Sequence, residues 1–247
     1  MKRDGRERSP QTCTAMKRTT VSSQRPADPA SANQSAERLA VDGYAVLDDL
    51  LGAEELDRVE ESLEDVTADA AGDRRFLDRE WCRLLAHVIR HRLLKRRLLY
   101  RASQPVLCTY FRKDAGTNWA VGLHRDLHVP LAAECDSRHF SNWTDKQGIT
   151  HAHASREMLA SMVAVRVHID NCGIGDGELC VVPGSHSSAD VEAARVSCPA
   201  ARGSAIVLSP LLLHASAKST SLKPRRVLHF LFGPSGLPDG ARWYYAT

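Results

Sequence analysis

From about residue 105 to residue 232 the chain is a succession of short apolar runs, at 106–111, 120–128, 162–170, 179–182, 204–208, 211–214 and 226–232. Glycine- or proline-rich punctuation separates several of them, as at 173–177 and Pro183-Gly184. Runs of this length and content are strands. Ahead of them, 43–47 reads as one more strand. Leu51, Leu56, Val59 and Leu63 recur at helical spacing, as do Leu84, Leu85, Val88, Ile89, Leu93, Leu94 and Leu98 within a longer helix over 78–101. Two helices followed by many short strands predict a mainly β fold with flanking α-helices, the helices packed on a barrel or sandwich. Residues 130–160 break the rhythm. The stretch is long and polar and carries His139, Trp143, Asp145, Lys146, His151 and His153; an insertion of this kind in a compact domain is a lid or a binding loop.

The 247 residues suffice for a buried core, and 43% hydrophobic with 26% charged residues is ordinary for a globular chain. Residues 1–36 are rich in Ser, Thr, Arg, Pro and Ala with almost no large apolar groups, so they are expected to form a disordered tail ahead of a single domain over 37–247. The net charge of +3 is concentrated there. Residues 1–40 hold eight Lys/Arg and four acids, a net +4, which leaves about −1 for the rest. A nucleic-acid partner is therefore not implied. No apolar run approaches the ~20 residues of a membrane helix, and the start lacks the apolar stretch of a secretory signal, so the chain reads as cytoplasmic with no membrane partner. The seven cysteines are scattered without a C-x-x-C pair and read as reduced thiols. The run Arg90, Arg92, Lys95, Arg96, Arg97 reads as a solvated face. Oligomeric state is left open.

The chemistry begins at His124-Arg125-Asp126. On a strand, residues two apart share a face, so His124 and Asp126 converge while Arg125 turns away. A third ligand from another strand completes a facial triad of two histidines and one carboxylate, which suits Fe(II) because it leaves adjacent positions open. The triplet is weak alone among 11 His and 30 acids, and His168-Ile169-Asp170 is a rival. His214 ends an apolar run, Leu211-Leu212-Leu213, and eleven residues on comes Arg225 at the head of the next strand. Antiparallel pairing brings this guanidinium near His214, where it can grip a carboxylate. 2-Oxoglutarate, chelating iron at its 2-oxo acid end, needs such a cation for its far carboxylate. Ser216 shares the face of His214 and can donate a hydrogen bond.

Five segments in order then resemble the phytanoyl-CoA dioxygenase family of Fe(II)/2-oxoglutarate oxygenases: Asp42-Gly43-Tyr44-Ala45-Val46-Leu47; Asn118-Trp119-Ala120-Val121-Gly122-Leu123-His124-Arg125-Asp126; Arg166-Val167-His168-Ile169-Asp170; Val181-Val182-Pro183-Gly184-Ser185-His186; and Pro210-Leu211-Leu212-Leu213-His214-Ala215-Ser216 with Arg225-Arg226-Val227. The resemblance implies a double-stranded β-helix, a cupin-like jelly-roll barrel. It implies His124, Asp126 and His214 as iron ligands, Arg225 and Ser216 as holders of 2-oxoglutarate, and Arg166 and Lys113 beside the cosubstrate. It also implies O2 as co-reactant, and hydroxylation of an unactivated C–H bond with release of succinate and CO2. Related halogenases replace the carboxylate by a small residue, so Asp126 favours hydroxylation over halogenation. His168 and Asp170 become structural, and His186 a turn histidine. Arg125 stands where Gln is common. The long insertion is a poor basis for transferring acyl-CoA as substrate; Trp143, His151 and His153 within it suit a small polar molecule.

His124-Arg125-Asp126-Leu127 also mimics a kinase catalytic loop, but the asparagine expected five residues after the aspartate is Leu131, and the Asp-Phe-Gly motif is absent. Gly173-Ile174-Gly175-Asp176-Gly177 lacks a third glycine at the spacing of a nucleotide fingerprint and a helix after it, and reads as a turn. The competing functional readings are a metal-dependent isomerase or hydrolase, with zinc in a His-Asp-His set, and an inactive small-molecule-binding barrel.

Overall fold

The computed structural model describes residues 29–64, 66, 72–188, 194–221 and 223–245. In chain order the elements are α1 (Pro29–Asp42), β1 (Tyr44–Leu47), α2 (Ala53–Leu63), α3 (Glu80–Lys95), β2 (Ser103–Lys113), β3 (Val121–His124), β4 (His128–Pro130), β5 (Phe140–Lys146), β6 (Ile149–Ala154), α4 (Arg156–Ala160), β7 (Val163–His168), β8 (Leu179–Val181), β9 (Val196–Cys198), β10 (Ala205–Leu208), β11 (His214–Ser216) and β12 (Arg225–Pro234). Most of the expected tail, 1–28, lies outside the described residues; 29–36 instead belong to α1.

Two antiparallel sheets form the frame, in the orders β1-β10-β7-β12-β2 and β3-β11-β8-β9. From β7 onward the chain alternates between them: β7 in the first, β8 and β9 in the second, β10 in the first, β11 in the second, β12 in the first. This winding is the expected double-stranded β-helix, although the strands make separate sheets rather than one closed hydrogen-bonded barrel.

Period-two alternation sorts the larger sheet's side chains. Leu228, Phe230 and Phe232 of β12, Cys108 and Tyr110 of β2, and Val165 and Val167 of β7 pack outward in one cluster with Leu56 and Val59 of α2 and Leu85, Ile89 and Leu93 of α3. Leu231, Leu107, Ala164, Ile206 and Leu208 face inward with Leu179 and Val181 of the smaller sheet. A fully buried Phe such as Phe230 contributes about 2–3 kcal/mol through such burial. The central strands are apolar on both faces for this reason, so an inward polar residue on them signals function.

Four expectations change. The apolar stripe of α3 is narrower than the sequence suggests, since Leu84 and Val88 are 60% and 39% exposed. The helix also ends at Lys95, where Arg97 takes φ +57° and Leu98 N–H donates to Leu93 O at 2.9 Å, a left-handed helix cap. The arginine run is not a free solvated face: Arg92 donates to both oxygens of Glu55 at 2.8 Å, tying α3 to α2, and Arg96 pairs with Asp49 at 3.0 Å. Residues 211–213 are a turn rather than strand, because Pro210 starts it and Leu212 N–H bonds Ser209 O at 3.0 Å; the strand opens at His214 itself. The insertion is no loop. It is mostly a sheet of its own, β4-β6-β5, followed by α4. Among the described residues no helix is long and apolar enough to cross a membrane, and Cys82, Cys108, Cys135, Cys172, Cys180 and Cys198 are free thiols.

Candidate active site

His124 ends β3 and His214 opens β11, and the two are direct cross-strand partners, with ring centroids 4.3 Å apart. Asp126 lies just past β3, its N–H bonded to Pro210 O at 2.9 Å in the turn that feeds β11. One ligand atom from each of His124, Asp126 and His214 falls within 4.8 Å of the others, a set able to hold a metal ion. Their tautomers are prepared for it. Nδ1 of His124 meets Gly122 O at 2.8 Å and Nδ1 of His214 meets Leu212 O at 2.9 Å. A carbonyl only accepts, so each Nδ1 carries a proton, and in the neutral ring each Nε2 keeps its lone pair for a metal. The two Nε2 atoms lie 3.5 and 3.6 Å from the Asp126 oxygens. Burial pushes the Asp126 carboxyl up, but the contact from His124 and the charges of His214, His229 and His124 outweigh it and hold the group well below the usual carboxylate range. Asp126 is ionised at any working pH. Arg125 turns away, Nε to Leu211 O at 2.8 Å and a terminal nitrogen to Ser185 O at 3.0 Å.

These residues line a cavity of about 480 Å³ between the two sheets, a size typical of small-molecule sites. Among the described lining residues its walls carry the cations Arg74, Lys113, Lys146, Arg166 and Arg225 against one carboxylate, Asp126. Arg225 pairs in register with Lys113 across β12 and β2. It is 3% exposed, yet its Nε and one terminal nitrogen have no hydrogen-bond partner, and Nε of the buried Arg166 has none either. Buried, unpaired guanidinium N–H groups are costly and mark where an anion belongs. Burial, with Arg225 and Arg166 nearby, pushes Lys113 down to about 8. Burial and Arg225 likewise push Arg166 down to about 10. The Ser216 hydroxyl donates to Gly177 O at 2.8 Å and accepts from Lys113 Nζ at 2.7 Å. Its proton is therefore engaged, and in this arrangement Ser216 holds Lys113 in place.

Of the three insertion residues expected near substrate, only His151 reaches the cavity; it is buried and its Nδ1 meets Ile149 O at 2.9 Å. His153, two positions further along β6, stacks on His128 at 5.5 Å instead. Trp143 is turned into the inner apolar cluster where Asn142 takes φ +50° and the pairing of β5 with β6 slips. The rival pair separates as the resemblance implied. Asp170 accepts from Arg226 at 2.6 and 2.9 Å, while His168 is fully buried, kept neutral by burial that lowers it to about 3. His186 meets Ala40 O at 3.2 Å. His229 went unforeseen. It lies on β12 four residues after Arg225, lines the cavity, and puts Nε2 3.5 Å from Asp126 Oδ2. Its parity with Arg225 on an otherwise apolar strand is the signal that could have found it.

The family model for phytanoyl-CoA dioxygenase (PhyH) matches residues 39–227, most of the chain. The chain belongs to the phytanoyl-CoA dioxygenase family. It is thus a non-haem iron, 2-oxoglutarate-dependent enzyme, with Fe(II), 2-oxoglutarate and O2 as its reagents, and the histidine–carboxylate set fits that metal. A comparison with curated protein sequences gives no match. Among solved structures, the chain resembles the non-haem α-ketoglutarate-dependent epimerase SnoN of nogalamycin biosynthesis (TM-score 0.65, 17% identity, 84% of this chain and 82% of that one). It resembles the carbocyclase SnoK of the same biosynthesis (TM-score 0.61, 15% identity, 84% and 88% covered). It also resembles HygX from Streptomyces hygroscopicus with nickel and 2-oxoglutarate bound (TM-score 0.57, 17% identity, 81% and 86% covered). At these identities the shared property is the fold.

Proposed function

We propose that this family member hydroxylates an unactivated C–H bond of a small polar metabolite, coupled to conversion of 2-oxoglutarate into succinate and CO2. The observation that carries the reading is one cavity into which both a His-Asp-His set and a buried arginine with unpartnered N–H groups face. In this reading His124, Asp126 and His214 hold the ferrous ion, which supplies oxygen activation and hydrogen abstraction when bound. Arg225 takes the distal carboxylate of 2-oxoglutarate, Lys113 and Arg166 add positive potential around it, and Ser216 keeps Lys113 aimed. The remaining part of the cavity, edged by Arg74, His128, Lys146 and His151, suits a substrate that carries an acceptor or a carboxylate. SnoN and SnoK are named as an epimerase and a carbocyclase, so the fold carries outcomes other than hydroxylation. Retention of the Asp126 carboxylate favours hydroxyl over halogen transfer. A zinc hydrolase has no use for an open guanidinium in this position.

The test is succinate release from 2-oxoglutarate with Fe(II) and O2, for which slow turnover without the organic substrate suffices. His124→Ala and Asp126→Ala are expected to abolish it. Arg225→Ala is expected to raise KM for 2-oxoglutarate by at least about tenfold, the loss of one charge-assisted contact. A zinc-loaded protein that hydrolyses esters equally well with Arg225→Ala would instead support the hydrolase.

A further inference from the structure

His229 is the one histidine at the cavity that the metal set does not use while touching a member of it. It sits on β12 opposite Arg166 of β7, and both side chains face inward between the sheets. Its two ring nitrogens meet chemically different partners. Nδ1 lies 3.4 Å from a terminal nitrogen of Arg166, and Nε2 lies 3.5 Å from Asp126 Oδ2. The first is at the outer limit of a hydrogen bond, and the second is an ion-pair distance that a small turn of the carboxylate closes to one. A guanidinium has donors and no acceptor, so the Arg166 contact requires a lone pair on Nδ1. The ring proton is then on Nε2, directed at the carboxylate. This is the opposite tautomer from His124 and His214, whose Nδ1 atoms donate to carbonyls.

We infer that Arg166 and His229 form a two-step hydrogen-bonded strut that holds the Asp126 carboxylate from behind, making His229 a positioning residue for the metal. The inference rests on the reading of His124, Asp126 and His214 as metal ligands. With His124 and His214 engaged by a metal, His229 is the ring left free to donate to Asp126 Oδ2. Its position just beyond the end of β3 leaves the side chain free to rotate unless something fixes it. A carboxylate with one oxygen engaged presents the other singly to the ion. Positions two and three coordination steps from a metal act through ligand orientation, and their loss weakens metal binding about 10–100-fold. Arg166 thereby has a second duty beside its positive charge at the cosubstrate, since its Nε remains unpartnered while a terminal nitrogen faces His229.

The experiment uses the full chain and Co(II) as probe, without cosubstrate. Calorimetric titration with Co(II), with melting temperature and the visible Co(II) spectrum recorded on the same samples, compares wild type, His229→Phe and His229→Gln. The Phe variant keeps bulk and removes the donor; the Gln variant keeps an N–H. We expect Co(II) affinity to fall about 10–100-fold in His229→Phe with an altered spectrum, and to be largely restored in His229→Gln. Equal affinity in wild type and the Phe variant overturns the strut, as does a Gln variant no better than Phe. Long-range 1H–15N correlation on the Zn(II)-loaded wild type needs no variant: a His229 ring protonated at Nε2 supports the strut and one protonated at Nδ1 overturns it. Failure of the wild type to bind Co(II) at all would strike the metal reading itself, whereas binding that ignores residue 229 strikes only this inference.

Discussion

Each titratable side chain at the site has its protonation state chosen by a neighbour of opposite capability. Carbonyls of Gly122 and Leu212 force Nδ1 protonation of the two metal-set histidines, and the same logic runs in reverse at His229. Lys113 can change state in a useful range, because burial with Arg225 and Arg166 nearby brings it down to about 8. A bound dicarboxylate favours its charged form and raises that value. The sign follows: below about pH 7 Lys113 is charged with or without ligand, and the affinity for 2-oxoglutarate is flat. As pH rises through about 8 the free protein loses the proton, binding must recover it, and affinity falls. Calorimetry in buffers of different ionisation enthalpy should therefore show uptake of up to one proton per 2-oxoglutarate above about pH 8, absent in Lys113→Met; wild-type binding with no uptake there would contradict the assignment. His124, Asp126, His214 and Arg225 each sit in a distinctive short motif, and the structure brings all four to one cavity. His229 left only a faint trace, its parity with Arg225 on an apolar strand, with no motif around it. Its partner Asp126 is about a hundred positions away in the chain.

Among the elements, the turn between β7 and β8 couples backbone conformation to the cation cluster. Gly177 has φ +72°, and a Cβ added there would lie 2.9 Å from Ala217 O and 3.1 Å from Lys113 Nζ. Gly184, at φ +75°, has nothing within 4 Å of the same atom. The two positions share the cost of a left-handed residue, about 1–2 kcal/mol, and differ in the collision. Urea unfolding should show Gly184→Ala losing about 1 kcal/mol and Gly177→Ala losing more, with only Gly177→Ala weakening 2-oxoglutarate binding; equal losses and unchanged binding in both would separate the turn from Lys113. The strands and their order of appearance were readable because central strands must be apolar on both faces. Boundaries were not. The leucines at 211–213 look like strand but are bent by the turn after Pro210, and α3 stops short because Arg97 adopts a left-handed conformation that no glycine announces.

For the whole molecule, the organising fact is that two sheets wound from one alternating chain enclose a cavity where inward polar side chains interrupt apolar strands, among them the His-Asp-His set and the buried arginines. The insertion adds β4-β6-β5 at the edge of that cavity, contributing His128, Lys146 and His151. Its polarity was legible as a sign of function, but its sheet was not, because strands that pair only within themselves and expose one edge lack the apolar signature of the core. Iron and 2-oxoglutarate must meet in this cavity. Anaerobic addition of 2-oxoglutarate to the Fe(II)-loaded protein, followed by visible absorption, tests this directly. A metal-to-ligand charge-transfer band that saturates at one cosubstrate per chain is expected in wild type and its loss in His214→Ala; no band in the wild type, or an unchanged band without His214, would refute the shared site.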